Sequence, residues 1–243
     1  MADGANALGE RAGANALGCA PSAGQTAGEA SLAARLVAFD TATLYEAGGQ
    51  RGALLPGIAA LSSERRVAGP ALTVLTARGD NLALHAAVAS AWPGEVIVAQ
   101  CHDAQTGGWG EVLTVAAMAR GVVALVLDGA VRDLDAIREL GFPVFARGTS
   151  ISAATKVAAG HIRLPIDCGG QIVRPGDYVV ADVSGLVVIE PEVVEDTLAA
   201  AAARVAKETT MMEQLRTGAT TVELLGLGAA LGPETARGEG GVP

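Results

Sequence analysis

Aromatic residues make up only 3% of the 243 residues, and lysine occurs only at Lys156 and Lys207. Few aromatics leave little for base-stacking platforms. Nor do lysine and arginine cluster into the basic surface that nucleic acid requires, and the net charge is −9. No apolar run reaches the ~18–20 residues of a membrane span. The N-terminus also lacks the basic stretch followed by an apolar core that marks a secretory signal, so a cytoplasmic location is expected. The three cysteines, Cys19, Cys101 and Cys168, are odd in number and never spaced CxxC. A disulfide framework or structural zinc site is therefore not expected, and buried, inert thiols are.

Small apolar residues are abundant. Half of the chain is hydrophobic, enough for a sizeable core. Residues 1–28 are rich in Ala, Gly and Ser, and Gly-Ala-Asn-Ala-Leu-Gly occurs twice, at 4–9 and 13–18. Such a stretch cannot bury a core and reads as a flexible tail. A second tail is expected at 226–243, leaving one globular unit over 29–225.

Within that unit, Leu32, Leu36, Phe39 and Leu44 share a helical face that Gly48-Gly49 ends. Strands are expected at 67–76, 95–99, 122–127 and 143–145, alternating with helices at 82–92, 111–120 and 133–140. The continuous apolar run 122–127 is what a strand covered on both faces requires. Thr106 to Gly110 and Asp128 to Arg132 read as loops. Short strands follow at 162–166, 171–173, 178–181 and 186–189, before a long helix opened by Pro191. Alternating strands and helices followed by a meander predict an α/β fold, a single domain with a mixed sheet.

The chemistry concentrates between Gly107 and Asp133. A helix from Glu111 runs down one face, and the strand 122–127 returns to the edge where that helix began. The free N–H groups at Glu111, Val112 and Leu113 should therefore face Arg132 and Asp133, in the kind of crevice where open α/β sheets bind ligands. Helix-start amides attract a carboxylate, Arg132 offers a planar fork for an anionic oxygen, and Asp133 offers a hard oxygen for Mg²⁺ or Mn²⁺. Each has a plainer role open to it. Asp133 could cap the next helix, Glu111 could complement its helix dipole, and Arg132 could be a solvated charge.

Gly79-Asp80-Asn81 with His85, Pro93-Gly94, Gly110-Glu111, Asp128-Gly129-Ala130-Val131-Arg132-Asp133 and Pro143-Val144-Phe145-Ala146-Arg147-Gly148 together resemble the 4-hydroxy-4-methyl-2-oxoglutarate aldolase and RraA-like superfamily, over roughly residues 31–217. The resemblance implies a β/β/α swivelling-domain fold and trimers or hexamers. It also implies Mg²⁺ or Mn²⁺, retro-aldol cleavage of a 4-hydroxy-2-oxo acid to pyruvate, and decarboxylation of oxaloacetate. Matched residue by residue, Asp133 would hold the metal and Arg132 the substrate, while the Val112 and Leu113 amides would take its carboxylate. Glu111, where relatives often carry Asp, and Glu208, offered from a neighbouring subunit, would serve proton transfer. The superfamily also contains non-catalytic regulators that bind and inhibit a ribonuclease. As the resemblance goes, these lack the Asp of the Arg-Asp pair that Asp133 supplies here.

Other constellations carry less. His102-Asp103 beside Cys101 suggests zinc, but adjacent residues on a strand point to opposite faces. A Schiff-base aldolase would need a desolvated lysine, for which Lys156 is the candidate. His85 could touch a substrate or hold a structural hydrogen bond.

Overall fold

The computed structural model describes residues 27–230. Both expected tails fall largely outside the described residues, as does Cys19. In chain order the elements are α1 (Ala27–Leu36), α2 (Thr41–Ala47), β1 (Ala59–Ala60), β2 (Val67–Leu75), α3 (Leu82–Ser90), β3 (Val96–Gln100), β4 (Gly107–Trp109), α4 (Glu111–Ala119), β5 (Ala124–Val131) and α5 (Leu134–Leu140). Then come β6 (Val144–Thr149), β7 (His161–Ile162), β8 (Ile166–Cys168), β9 (Gln171–Val173), β10 (Tyr178–Asp182), β11 (Gly185–Ile189), α6 (Val194–Arg216) and α7 (Thr221–Leu224).

Among the described residues the main sheet is mixed and nine-stranded, in the order β1-β6-β5-β3-β2-β10-β11, with β4 beside β5 and β7 beside β2. The parallel centre, β2-β3-β5-β6, is joined by helices; β10 and β11 form an antiparallel hairpin. The α/β fold with a mixed sheet is thus observed. Strand β5 shows why the centre reads as unbroken apolar sequence. Leu125 and Leu127 enter a core shared with α3, α4 and α5, while Ala124 and Val126 enter a second core with β8, β10 and β11. A third core packs α1, α2 and α6 on the outer face of the hairpin.

Four expectations change. The single helix drawn through Leu32, Leu36, Phe39 and Leu44 is two helices. Asp40 is extended and caps α2, its Oδ1 accepting from the Thr43 amide at 2.7 Å, the role in which Asp outcompetes helix continuation. The strand expected over 162–166 is interrupted at Arg163, where φ is +57°. There the guanidinium donates to buried Glu95 at 2.7 Å and lies 3.9 Å over the Trp92 ring. The glycine-rich loop at 106–110 contains a strand, β4, parallel to β5. The expected loop 128–132 is strand up to Val131, continued past a register irregularity between Leu127 and Ala130. No helix among the described residues is long and apolar enough to cross a membrane.

Candidate active site

The end of β5 and the start of α4 meet through a backbone route that leaves no room for bulk. Strand β4 delivers the chain to α4 beside β5, and the Arg132 amide donates to the Trp109 carbonyl at 2.8 Å. Trp109, 1% exposed, anchors this corner. Its indole N–H donates to Thr114 Oγ1 at 2.7 Å, the Thr114 hydroxyl donates to the Gly110 carbonyl at 3.0 Å, and the ring stacks on Phe142. The first turn of α4 is thereby tied to the strand that precedes it.

Asp133 sits at the N-cap position of α5 with φ +55°, yet its side chain makes no capping hydrogen bond. The carboxylate turns instead to α4. Its Oδ2 accepts from the Glu111 amide at 3.3 Å and lies 3.5 Å from Arg132 Nε. Both side chains are 44% exposed. The simple capping role is therefore not what Asp133 performs. A left-handed conformation in a non-glycine residue is costly and clusters at functional sites. The Val112 and Leu113 amides belong to the first turn of α4, where no carbonyl one turn earlier exists to receive them.

These groups line a cleft of about 330 Å³ that includes Val112, Leu113, Arg132 and Asp133, together with Asn81, His85 and Lys156. Two predicted site residues lie elsewhere. Glu111 is exposed at the helix start beside the cleft rather than lining it. Glu208 is on α6, paired with Arg204 at 2.7 Å, and does not line the cleft of its own chain.

The far wall was not foreseen as a unit. It is the segment from Ser150 to Ala158, held down by Asp80. The Asp80 carboxylate is buried and accepts from the Thr155 hydroxyl and the Val157 amide, each at 2.7 Å, and from the Leu82 amide at 2.8 Å. Burial pushes its pKa up, but these hydrogen bonds outweigh burial and hold the carboxyl well below the usual carboxylate range. The segment carries Lys156 into the lining, where it stays exposed. A desolvated, Schiff-base lysine is thus not what the cleft contains. His85 is half-buried; burial, then the charge of Lys156, lowers its pKa, so it enters the cleft as a neutral ring at neutral pH.

A second constellation lies on the opposite face of β5. There Arg147 pairs with Asp128, whose Oδ2 also accepts from the Gly169 amide at 2.9 Å. His102 and Asp103 border it, but among the described residues no group of three or more His, Cys, Asp or Glu could hold a metal ion. Cys101 and Cys168 are buried, and burial pushes the Cys101 thiol up to about 11 and Cys168 further. Neither is a nucleophile at neutral pH.

A family model described as RraA-like, Aldolase/RraA, matches residues 39–188. A Halalkalibacterium halodurans protein provisionally named 4-hydroxy-4-methyl-2-oxoglutarate aldolase is 44% identical over 130 residues, 53% of this chain. The match spans 62% of that relative's length. Among solved structures, an uncharacterized Pseudomonas syringae protein superimposes with TM-score 0.73 at 28% identity, over 80% of this chain and 92% of that one. Streptomyces coelicolor RraAS2, described as an unusual member of the RNase ES inhibitor RraA family, gives TM-score 0.65 at 30% identity, over 76% of this chain and 96% of that one.

Proposed function

The chain belongs to the RraA-like, Aldolase/RraA family, and from that premise we propose that it is a divalent-metal-dependent lyase. In this reading it cleaves a 4-hydroxy-2-oxo acid to pyruvate, decarboxylates oxaloacetate, or does both. The observation that carries the reading is the Asp133 carboxylate, turned away from its own helix to the start of α4 beside Arg132, at the edge of a cleft. A half-exposed single carboxylate suits Mg²⁺ or Mn²⁺, since Mg²⁺ keeps several waters and takes only one or two protein carboxylates. Asp133 would hold the ion, which when bound supplies Lewis acidity at the 2-oxo group.

The chain's own groups do the rest. The Val112 and Leu113 amides receive the carboxylate next to the ketone. Arg132 binds the keto oxygen and offsets the charge that grows there as the enolate forms. In the aldol substrate the C3–C4 bond breaks, its electron pair passes into the C2–C3 enolate, and C4 becomes a carbonyl as its hydroxyl loses a proton. A water held by Glu111, and by Glu208 of a neighbouring copy in a homotrimer or homohexamer, takes that proton and returns one to C3. In oxaloacetate the same bond breaks with loss of CO₂, its electron pair again passing into the enolate, which takes a proton at C3 from that water.

The test is pyruvate release from 4-hydroxy-4-methyl-2-oxoglutarate and from oxaloacetate, with Mg²⁺ and again after EDTA. Turnover that EDTA abolishes and Mg²⁺ restores is expected. No turnover of either acid favours the second reading, a non-catalytic regulator that binds and inhibits a ribonuclease. That alternative rests on the 30% identity to Streptomyces coelicolor RraAS2.

A further inference from the structure

Lys156 is the one charged side chain of the cleft lining that has no ion partner among the described residues. The other two, Arg132 and Asp133, lie 3.5 Å apart. Lys156 comes from the far wall, and the backbone on either side of it is pinned. The Thr155 amide donates to the Gly79 carbonyl at 2.9 Å, and the Thr155 carbonyl accepts from the Asn81 amide at 3.0 Å. The Val157 amide donates to Asp80 Oδ2 at 2.7 Å. What is left free to move is the side chain. Its charge is felt at His85, another residue of the lining, so the ammonium stands on the cleft side of the wall. Ala153 and Ala154, which line the cleft from the same wall, are too short to fill it.

The balance of charge narrows what such a cleft takes. In the reading above, the metal offsets Asp133, while Arg132 and the α4 amides receive the ketone and the carboxylate beside it. All of these sit at the α4 end. His85 is neutral at neutral pH and adds no charge there. An acid with that single carboxylate leaves the Lys156 ammonium unpaired. An acid with a second carboxylate on C4 brings an anion to the opposite wall. A lysine suits that task, being a compact charge on a flexible stem that needs no planar, two-point fit.

We propose that Lys156 is the specificity-determining residue of the site, its ammonium receiving a second carboxylate carried on C4 of the substrate; this rests on the functional reading above. The cleft thereby selects 4-hydroxy-2-oxo diacids over monoacids. The distal carboxylate keeps its charge while the C3–C4 bond breaks, so the contact is as strong before the reaction as during it. It acts on KM rather than on kcat.

The experiment uses two acids that differ at this point alone. 2-Oxoglutarate carries the second carboxylate, and 2-oxopentanoate has a methyl group in its place. Neither has a 4-hydroxyl, so neither undergoes aldol cleavage. In calorimetric titrations with Mg²⁺, wild type should bind 2-oxoglutarate about tenfold more tightly, the size of a charge-assisted hydrogen bond at a partly solvated site. Lys156→Met, near in length but uncharged, should erase the preference by weakening 2-oxoglutarate alone, and Lys156→Arg should keep it. For 4-hydroxy-4-methyl-2-oxoglutarate, Lys156→Met should lower kcat/KM about tenfold, nearly all of it through KM. Equal binding of the two acids by wild type, equal weakening of both in Lys156→Met, or a loss in kcat at unchanged KM would each overturn the role of Lys156 and leave the lyase reading standing. Wild-type protein that prefers 2-oxoglutarate through Lys156 yet releases no pyruvate overturns the lyase reading and leaves the recognition. If neither acid binds with Mg²⁺ present, both fall.

Discussion

A β-carbon at Gly110 would overlap Asp133 Oδ2 and lie 3.1 Å from Arg132 Cγ. The backbone there is extended, with φ −155°, so the constraint is space rather than conformation. Gly110→Ala should therefore push Asp133 and Arg132 off their present geometry while leaving the fold intact. A displacement near 1 Å commonly costs about 100-fold in rate, so kcat/KM for pyruvate release should fall by about that much, with the unfolding transition little changed. Arg132→Lys tests the fork itself. An ammonium cannot reproduce two coplanar N–H groups, and a loss of about 100-fold in kcat/KM is expected. If Arg132→Lys keeps near-wild-type kinetics, Arg132 is a solvated charge and the substrate geometry is wrong. Asp133→Ala should remove metal-dependent turnover altogether.

At the scale of elements, the 150–158 segment is held both by backbone bonds of Thr155 to Gly79 and Asn81 and by the ionised carboxylate of Asp80. Its folded-state pKa is depressed, so its stabilisation is fully present above the ordinary carboxylate value of about 4. It is lost only as pH falls through the lower folded value. Hydrogen-exchange protection factors at Val157 and Ala158 should thus be flat from neutral pH down to about pH 4 and fall below it. Asp80→Asn, which removes the charge and turns one of the two acceptors into a donor facing the Leu82 or the Val157 amide, should lower them already at pH 7. Equal protection in wild type and variant would mean that other contacts hold the wall.

The same elements show what a sequence makes visible. The meeting of α4 with Arg132 and Asp133 was legible because a helix and the strand after it return the chain to one sheet edge, and apolar periodicity marks both. Strand β4 was not, since Gly107-Gly108-Trp109 has little β propensity of its own and is a strand only because β5 pairs with it. Asn81 and Lys156 are 75 residues apart in the chain and share no local pattern. They meet because Thr155 bonds to the backbone of Gly79 and Asn81. The Asp80-Asn81 pair just before α3 was the available signal, and it reads equally well as a helix cap.

At the scale of the molecule, the proposed proton transfer takes Glu208 from a second copy of the chain. On α4, whose first turn borders the cleft, Val112, Val115 and Met118 stand exposed at 76%, 50% and 42%. They are spaced so as to share one side of the helix, and exposed apolar stripes of this kind mark contact surfaces. Glu208, meanwhile, lines no part of its own chain's cleft. If a neighbouring copy supplies it, Asp133 and Glu208 act in the same site but come from different chains. Asp133→Ala and Glu208→Ala should each be inactive alone. Unfolded together at equal ratio and refolded, they should regain activity, because some interfaces then pair an intact Asp133 with an intact Glu208. In a closed ring with random assembly about one interface in four is of that kind, so about a quarter of wild-type kcat is expected at unchanged KM. Mixed oligomers that form, as native mass spectrometry would show, yet stay inactive would exclude Glu208 from the neighbour's site and leave proton transfer to Glu111 and the groups of a single chain.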